Sequence, residues 1–281
     1  MTALRVLGVH GVKNYQPGLT PADAAARLTG WWDSAMRKGL GLPRRRAAAL
    51  AVRVAYYAHR LHEGTAHGDG DPAVLDGETQ VLVGSWAGLF GAPAGVAHGA
   101  AGGFARAAAD WVAGRYGLDQ RAVRVLTASF FGEVQAYFTD DARRGAAIGD
   151  VAAAIRELEP HVVIAHSLGS VVAYETLWTY PHPPVDLLIT VGSPLAMPNV
   201  VYDRLRPHDG PRGRPHGVTR WINIADPGDF IAIPVGGIQR SFQGLSADLT
   251  DAVGAFSFHQ VGKYLSCGAT AGALAACLPP D

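Results

Sequence analysis

One segment constrains this chain more than any other: His161-Val162-Val163-Ile164-Ala165-His166-Ser167-Leu168-Gly169-Ser170-Val171-Val172-Ala173-Tyr174-Glu175. Its first half is apolar and β-branched, as in a strand buried within a sheet, and its second half reads as a helix. Only a sharp turn at His166-Ser167 separates the two. A serine at such a turn is held in a strained backbone conformation that lifts its hydroxyl above the sheet edge. The tightness of the turn demands small residues two before and two after it. Ala165 and Gly169 occupy those places. Glycine is usual at both, so Ala165 departs from the pattern, but its single methyl keeps the steric requirement nearly met. The plainer reading of Ser167 is a helix cap; the apolar strand before it and the small residues after it favour the strained turn.

Neighbouring strands are visible in the rest of the chain. Leu4 to Gly11 is short, mostly apolar and ends in glycine, as a buried strand feeding a loop does. Ala51 to Tyr57, Val185 to Val191 and Thr219 to Ala225 have the same character. The connections are long enough for crossover helices, which implies a mostly parallel sheet with helices on both faces. For the first helix, Thr20, Pro21 and Asp23 coincide as N-cap, first helical position and N-terminal carboxylate. Gly39 and Gly41 end it, and Leu28, Trp31, Trp32 and Ala35 give it an apolar face. Gly145 to Glu159 repeats a helical period through Ile148, Val151, Ile155 and Leu158, with Pro160 as the stop. Between these parts lie a Gly/Asp/His-rich stretch, His62 to Asp76, and two helical runs, Val81 to Tyr116 and Val123 to Phe138. The expected architecture is an α/β fold forming a single domain over 1–281, with 62–140 a helical insertion. A chain of 281 residues can bury one sizeable core.

A serine hydroxyl is a poor nucleophile at neutral pH and needs a base within hydrogen-bond reach, itself held by a carboxylate. In folds built round such a turn the chain order is nucleophile, acid, histidine. Of the 11 histidines, only His259 follows the acidic candidates Asp226 and Asp229. Taken alone, a histidine in the loop that enters the last helix is an ordinary surface residue; the chain order selects it. Both aspartates lie past the carboxyl end of a strand, where catalytic groups gather in open α/β sheets. Asp226 precedes Pro227 and suits an Asx-type turn, whereas Asp229 follows Gly228 and leads the apolar Phe230-Ile231-Ala232-Ile233-Pro234. Asp229 is therefore preferred as the acid, with Asp226 the alternative. An oxyanion at the reacting carbonyl needs backbone N–H donors already in place. Leu168, directly after the serine, is one candidate; Val12, in the loop after the first strand, is the other, with Gly11 allowing a close turn and His10 as buttress. Alone, His10-Gly11 also reads as a strand-ending turn. This reading requires an exposed Ser167 hydroxyl with His259 in reach; a Ser167 side chain found buried, or a His259 stranded far from it with no movement to close the gap, would end it.

Composition narrows the partners. With 24 basic and 24 acidic residues the chain has no net field to draw it to nucleic acid or to an anionic membrane surface. Cys267 and Cys277, if on one helix, stand about 15 Å apart at 1.5 Å rise per residue, too far for a disulfide. Without a disulfide framework, and with a strand-like run at the N-terminus, the expected location is cytoplasmic. Thr79 to Ala105 carries no Asp, Glu, Lys or Arg, but its many glycines and Pro93 lower both hydrophobicity and helix propensity, so it is not read as a membrane span.

These residues together resemble the lipase and esterase branch of the α/β-hydrolase superfamily over nearly the whole chain. The strand ending in His10-Gly11 is similar to the lipase oxyanion loop, and Ala165-His166-Ser167-Leu168-Gly169 to the lipase elbow. Asp229 to Pro234, followed by His259 and Tyr264, is similar to the acid and histidine segments. Gly192-Ser193-Pro194 resembles a structural turn of such lipases and gives Ser193 no catalytic role; related sequences often have glycine near Lys13. The resemblance implies hydrolysis of a carboxylic ester or thioester through an acyl-enzyme on Ser167. His259 would relay the proton and Asp229 would orient it. It implies no metal or organic cofactor, and a small-molecule acyl substrate, lipid-like or carrier-bound. His59 and His62 lack further ligands in a clear zinc spacing. The uncharged stretch Thr79 to Ala105, with Trp86, Leu89, Phe90 and Phe104, lies where such folds accept insertions, and is expected as a lid or cap forming an apolar acyl pocket. Its plainer reading is Ala and Gly packing between closely spaced helices. The same triad also serves acyltransferases, cyclising thioesterases and peptidases, and a non-catalytic binding module is a reading from a different class.

Overall fold

A computed structural model describes residues 3–42, 49–62, 70–97, 103–207, 212–254 and 259–278. In chain order the elements are β1 (Leu4–Val9), α1 (Pro21–Leu40), β2 (Leu50–Ala55), α2 (Ala58–Leu61), α3 (Gly77–Gly88), α4 (Ala94–Ala97), α5 (Phe104–Tyr116), α6 (Gln120–Thr139) and α7 (Asp141–Leu158). There follow β3 (Val162–His166), α8 (Leu168–Thr179), β4 (Val185–Val191), β5 (Val218–Ala225), α9 (Gly237–Ser241), β6 (Ala247–Thr250), α10 (Val261–Ser266) and α11 (Gly268–Ala275). The strands form one sheet in the order β2-β1-β3-β4-β5-β6, and every pairing is parallel. The chain runs from β1 outward to β2, then returns to β3 on the other side of β1. This reversal puts a crevice at the carboxyl ends of β1 and β3, the place where ligands bind in open α/β sheets.

Successive side chains of a strand point to opposite faces, so each strand supplies two cores. Leu7, Val9, Val163, Ala165 and Leu188 enter one, with Trp86, Phe130, Phe131, Val151 and Val172 from the helices that follow β2 and β3. Leu4, Val6, Val162, Ile164, Leu187 and Ile189 enter the other, with Leu28, Trp32, Met36, Tyr264 and Leu274 from α1, α10 and α11. Helices therefore lie on both faces. Helices α6 and α7 are tied into the first core by a buried cluster on α8: Glu175 accepts from Tyr137 Oη of α6 at 2.6 Å and from Arg144 Nε of α7 at 2.9 Å.

The cap signals of α1 are realised: the Asp23 N–H donates to Thr20 Oγ1, and Gly41 closes the helix in the left-handed region at φ 58°. Its buried stripe is Ala24, Leu28, Trp32 and Met36, a strict i, i+4 series. Trp31, expected on that face, is turned away by about 100° of helix and is 49% exposed. α7 starts at Asp141, ahead of the expected Gly145, because Asp140 caps it by accepting from the Ala142 and Arg143 N–H groups. A sixth strand, β6, joins the sheet edge. Part of the expected insertion, residues 63–69 and 98–102, lies outside the described residues. Among the described residues no helix is long and apolar enough to cross a membrane. Cys267 and Cys277 form no disulfide.

Candidate active site

Ser167 stands at the carboxyl end of β3 with φ 54° and ψ −132°. A positive φ at a non-glycine residue costs of order 1–3 kcal/mol and persists only where the surroundings over-determine it. Here the Ser167 N–H donates to Val191 O of β4 at 3.2 Å, and Ser170 Oγ donates to Ser167 O at 2.6 Å. Ser170 Oγ also lies 2.7 Å from Ser193 Oγ, which gives the serine after Gly192 a structural place. Gly169 is sterically required: a Cβ there would come within 2.2 Å of His10 O and 2.4 Å of Val9 O. Gly11 is required for the same reason, since its Cβ would lie 2.6 Å from Ser167 Cβ. The two loops thus approach each other as only glycines allow.

Ser167 Oγ lies 2.9 Å from His259 Nε2, and His259 Nδ1 lies 2.8 Å from Asp229 Oδ2 and 3.0 Å from Oδ1. The Asp229 carboxylate also accepts from the Ile231 N–H at 2.9 Å, the Ala232 N–H at 3.3 Å and Tyr264 Oη at 2.8 Å. Surrounded by donors, the carboxylate accepts from the Nδ1–H of His259, and that tautomer leaves Nε2 as acceptor for the Ser167 hydroxyl. Asp226 is not part of this line. Its Oδ1 accepts from the Gly228 N–H at 2.7 Å, an Asx-type turn, and its Oδ2 accepts from the Val253 N–H at 2.6 Å. Tyr264 joins the two aspartates, for its hydroxyl accepts from the Asp226 N–H at 2.9 Å while donating to Asp229.

The Val12 and Leu168 N–H groups find no acceptor among the described residues. Leu168 is the first residue of α8, so its N–H is one that a helix leaves unpaired. In the other loop, Asn14 Nδ2 donates to Gly11 O at 2.9 Å and to Val12 O at 3.0 Å. Lys13 has φ 63°, the region where glycine is at ease, and its N–H donates to Glu133 Oε1 of α6 at 2.7 Å. Burial pushes the half-buried Glu133 carboxyl up to about 7, against the pull of that N–H. His10 underpins the loop, with Nδ1 2.8 Å from Gly11 O, and burial lowers its pKa to about 4.

Ser167 is 0% exposed, Asp229 1% and His259 9%. The serine is thus buried, contrary to the accessible hydroxyl expected from the turn. Packing explains it: Gly11 and the His259 ring close over the hydroxyl, which no local sequence pattern reports. His259 and Val12 in turn line a cavity of about 360 Å³, together with Trp31 of α1, Ala122 and Leu126 of α6, and Val261. The hydroxyl is therefore one side chain from open volume. His166 lines the same cavity; burial and the neighbouring His259 hold its pKa well below the usual histidine range, so its ring is neutral. A second cavity of about 260 Å³ lies beside Asp229, walled by Leu89, Phe90, Tyr116, Phe230 and Ile233.

Among the described residues, the uncharged stretch contributes Leu89 and Phe90 to this second cavity and no side chain to the one beside His259. Trp86 is wholly buried behind Asp229, where its indole N–H donates to Phe230 O at 2.7 Å. Gly84 lets α3 approach Ala97, because a Cβ there would come within 2.0 Å of Ala97 O. Among the described residues, no group of three or more His, Cys, Asp or Glu side chains is placed to hold a metal ion.

Asn14 and Glu133 escape the sequence reading, and Tyr264 enters it only through the resemblance. Asn14 is readable afterwards as an Asx-type residue bonding back to its own loop. Tyr264 has no local signal for its link between the aspartates, and Glu133 lies in a different helix from anything it serves. The result is an α/β protein with a Ser-His-Asp line at the carboxyl end of an all-parallel sheet. No protein-family model, curated protein or solved structure matches the chain.

Proposed function

We propose that this protein is a serine hydrolase of the α/β-hydrolase type, which cleaves a carboxylic ester or thioester through an acyl-enzyme on Ser167. The reading rests on one observation: Ser167 Oγ is 2.9 Å from His259 Nε2 while His259 Nδ1 is 2.8 Å from Asp229. Oγ attacks the carbonyl carbon as its proton passes to Nε2. The developing oxyanion is taken by the Val12 and Leu168 N–H groups, a contribution of about 10²–10³ in rate per donor in comparable sites. When the tetrahedral species collapses, the alkoxide or thiolate leaves with the proton held on His259. A water then gives its proton to Nε2 and attacks the acyl-enzyme, and the acid departs with Ser167 restored. Asp229 stays ionised throughout, orienting His259 and stabilising its charged form.

The cavity beside His259 supports an apolar group on the substrate, since Val12, Trp31, Ala122, Leu126 and Val261 wall it. In this reading the helical insertion is a cap that acts through α6, and the substrate enters by displacing the Val12 or His259 side of that wall to reach the buried hydroxyl. The ligand is a small acyl compound, lipid-like or carrier-bound; the neutral charge balance favours no nucleic-acid partner. A cytoplasmic setting suits the two unpaired cysteines.

Labelling with a fluorophosphonate tests the reading. Wild-type protein is expected to be labelled and Ser167→Ala not, with the fold unchanged by circular dichroism; an unlabelled, well-folded wild type favours a binding module instead. Product analysis with competing alcohols and amines separates hydrolysis from acyl transfer.

A further inference from the structure

We infer that Glu133, on the inserted helix α6, is a positioning residue that holds the oxyanion loop in its working shape through the Lys13 backbone N–H. The inference rests on the serine-hydrolase reading. Its argument begins with the two peptide units that flank Val12. A trans peptide is planar, so anchoring its C=O also aims its N–H in the opposite direction. In the Gly11–Val12 unit the carbonyl is anchored twice, by Asn14 Nδ2 at 2.9 Å and by the His10 ring at 2.8 Å. The Val12 N–H on its other side is left without an acceptor among the described residues. In the Val12–Lys13 unit both groups are held: the carbonyl by Asn14 Nδ2 at 3.0 Å and the N–H by Glu133 Oε1 at 2.7 Å.

The second unit is the one under strain. Lys13 has φ 63°, which a lysine leaves readily unless something opposes it. Asn14 lies in the same loop and moves with it; Glu133 belongs to a packed helix whose neighbours Phe131 and Val134 are wholly buried. His10 and Gln16 tie the two ends of the loop to Tyr57 and Tyr56, and Glu133 is the tie from outside the loop that acts on the Val12–Lys13 peptide itself. Without it, rotation of the Val12–Lys13 peptide relieves the strain at Lys13 and carries Val12 with it. The cost falls on the transition state, where the Val12 N–H is used, more than on substrate binding.

The test compares Glu133→Ala, Glu133→Asp and Glu133→Gln on a p-nitrophenyl ester, with active sites counted by burst amplitude so that misfolded protein does not enter. Ala removes the acceptor and Asp withdraws it by one methylene with the charge kept. Both are expected to lower kcat per active site about tenfold, the equivalent of one 1.4 kcal/mol interaction, with KM little changed. Gln keeps a carbonyl acceptor and is expected to restore most of that loss. Wild-type kcat per site in the Ala and Asp variants overturns the inference, as does an equal loss in all three, which marks sensitivity to any change of side chain at this position, or a loss in Ala and Gln that spares Asp, which marks a role for the charge. A wild type that neither turns over the ester nor takes the fluorophosphonate defeats the hydrolase reading itself, an outcome distinct from an active wild type indifferent to Glu133.

Discussion

His10 lies face to face with Tyr57, ring centroids 4.3 Å apart and planes 8° from parallel, and its Nε2 accepts from the Tyr57 N–H at 3.2 Å. Because Nδ1 meets Gly11 O, a carbonyl that only accepts, both ring nitrogens are satisfied in one form alone, the neutral ring with its proton on Nδ1. Protonation would drive an Nε2–H against the Tyr57 N–H in a buried site, so burial lowers the folded-state pKa to about 4 from 6.5. Between those values the unfolded chain binds more protons, and stability therefore rises with pH across that window. The contribution is complete above pH 6.5 and falls away towards pH 4, by about 3 kcal/mol in all. Urea unfolding of wild type and His10→Asn across this range checks it: the difference in pH slope should lie between pH 4 and 6.5, and parallel slopes would refute the role given to His10.

The two aspartates past β5 separate by experiment as cleanly as by geometry. Asp229→Asn presents an amide to His259 Nδ1 and favours the wrong tautomer, with kcat expected to fall by about 10³–10⁴ while the fold holds. Asp226→Asn disturbs acceptors for the Gly228 and Val253 N–H groups, so its main effect is expected on stability, about 1–3 kcal/mol, with much less change in kcat per active site. Thermal melts beside active-site-titrated kinetics decide the matter; the reverse ranking of the two variants would give the acid's role to Asp226.

Tyr264→Phe removes one hydroxyl with two duties. The Asp226 N–H loses its buried acceptor and the Asp229 carboxylate loses a donor. A buried donor left unpaired costs about 1–3 kcal/mol, which chemical unfolding should register. The lost bond also loosens Asp229 opposite His259, so kcat should fall about tenfold with KM unchanged. A drop in stability with full kcat would make Tyr264 purely structural.

What the sequence shows of this fold follows burial. Strands covered on both faces read as unbroken apolar runs, which is why β1, β3 and β4 stand out, and the small residues at Ala165 and Gly169 mark the turn between β3 and α8. β6 does not stand out: Ala247–Thr250 is a short edge strand, only partly buried, with Asp248 in its middle. The neighbours Trp31 and Trp32 are equally apolar, yet only the second has the phase of the buried stripe, so residue type without helical phase misplaces the first. Asp226's turn bond spans two residues and is local enough to be anticipated; the Lys13–Glu133 bond joins residues 120 apart and is not. The burial of Ser167 belongs to the same class, since it arises where the loop after β1 and the segment carrying His259 meet over β3.

On the hydrolase reading, that burial makes the route of the substrate to Ser167 a question of which cavity holds the acyl group. The volume beside His259 is lined from α6 by Ala122 and Leu126, of which Leu126 is the larger. Leu126→Ala removes three carbons from the wall without touching Ser167, His259 or Asp229. Leu126 packs against the first core from a partly buried position, so the truncation should cost less than the 2–5 kcal/mol typical of a fully buried leucine. If α6 caps the acyl site, the variant should favour longer p-nitrophenyl esters over the acetate, each added methylene that gains room contributing about 0.8 kcal/mol, or roughly fourfold in kcat/KM. If the acyl group instead lies in the cavity walled by Leu89 and Phe90, Leu126→Ala leaves the chain-length profile as it is and Phe90→Ala shifts it. Ranking kcat/KM over a series of chain lengths for both variants therefore assigns the acyl group to one side of the triad.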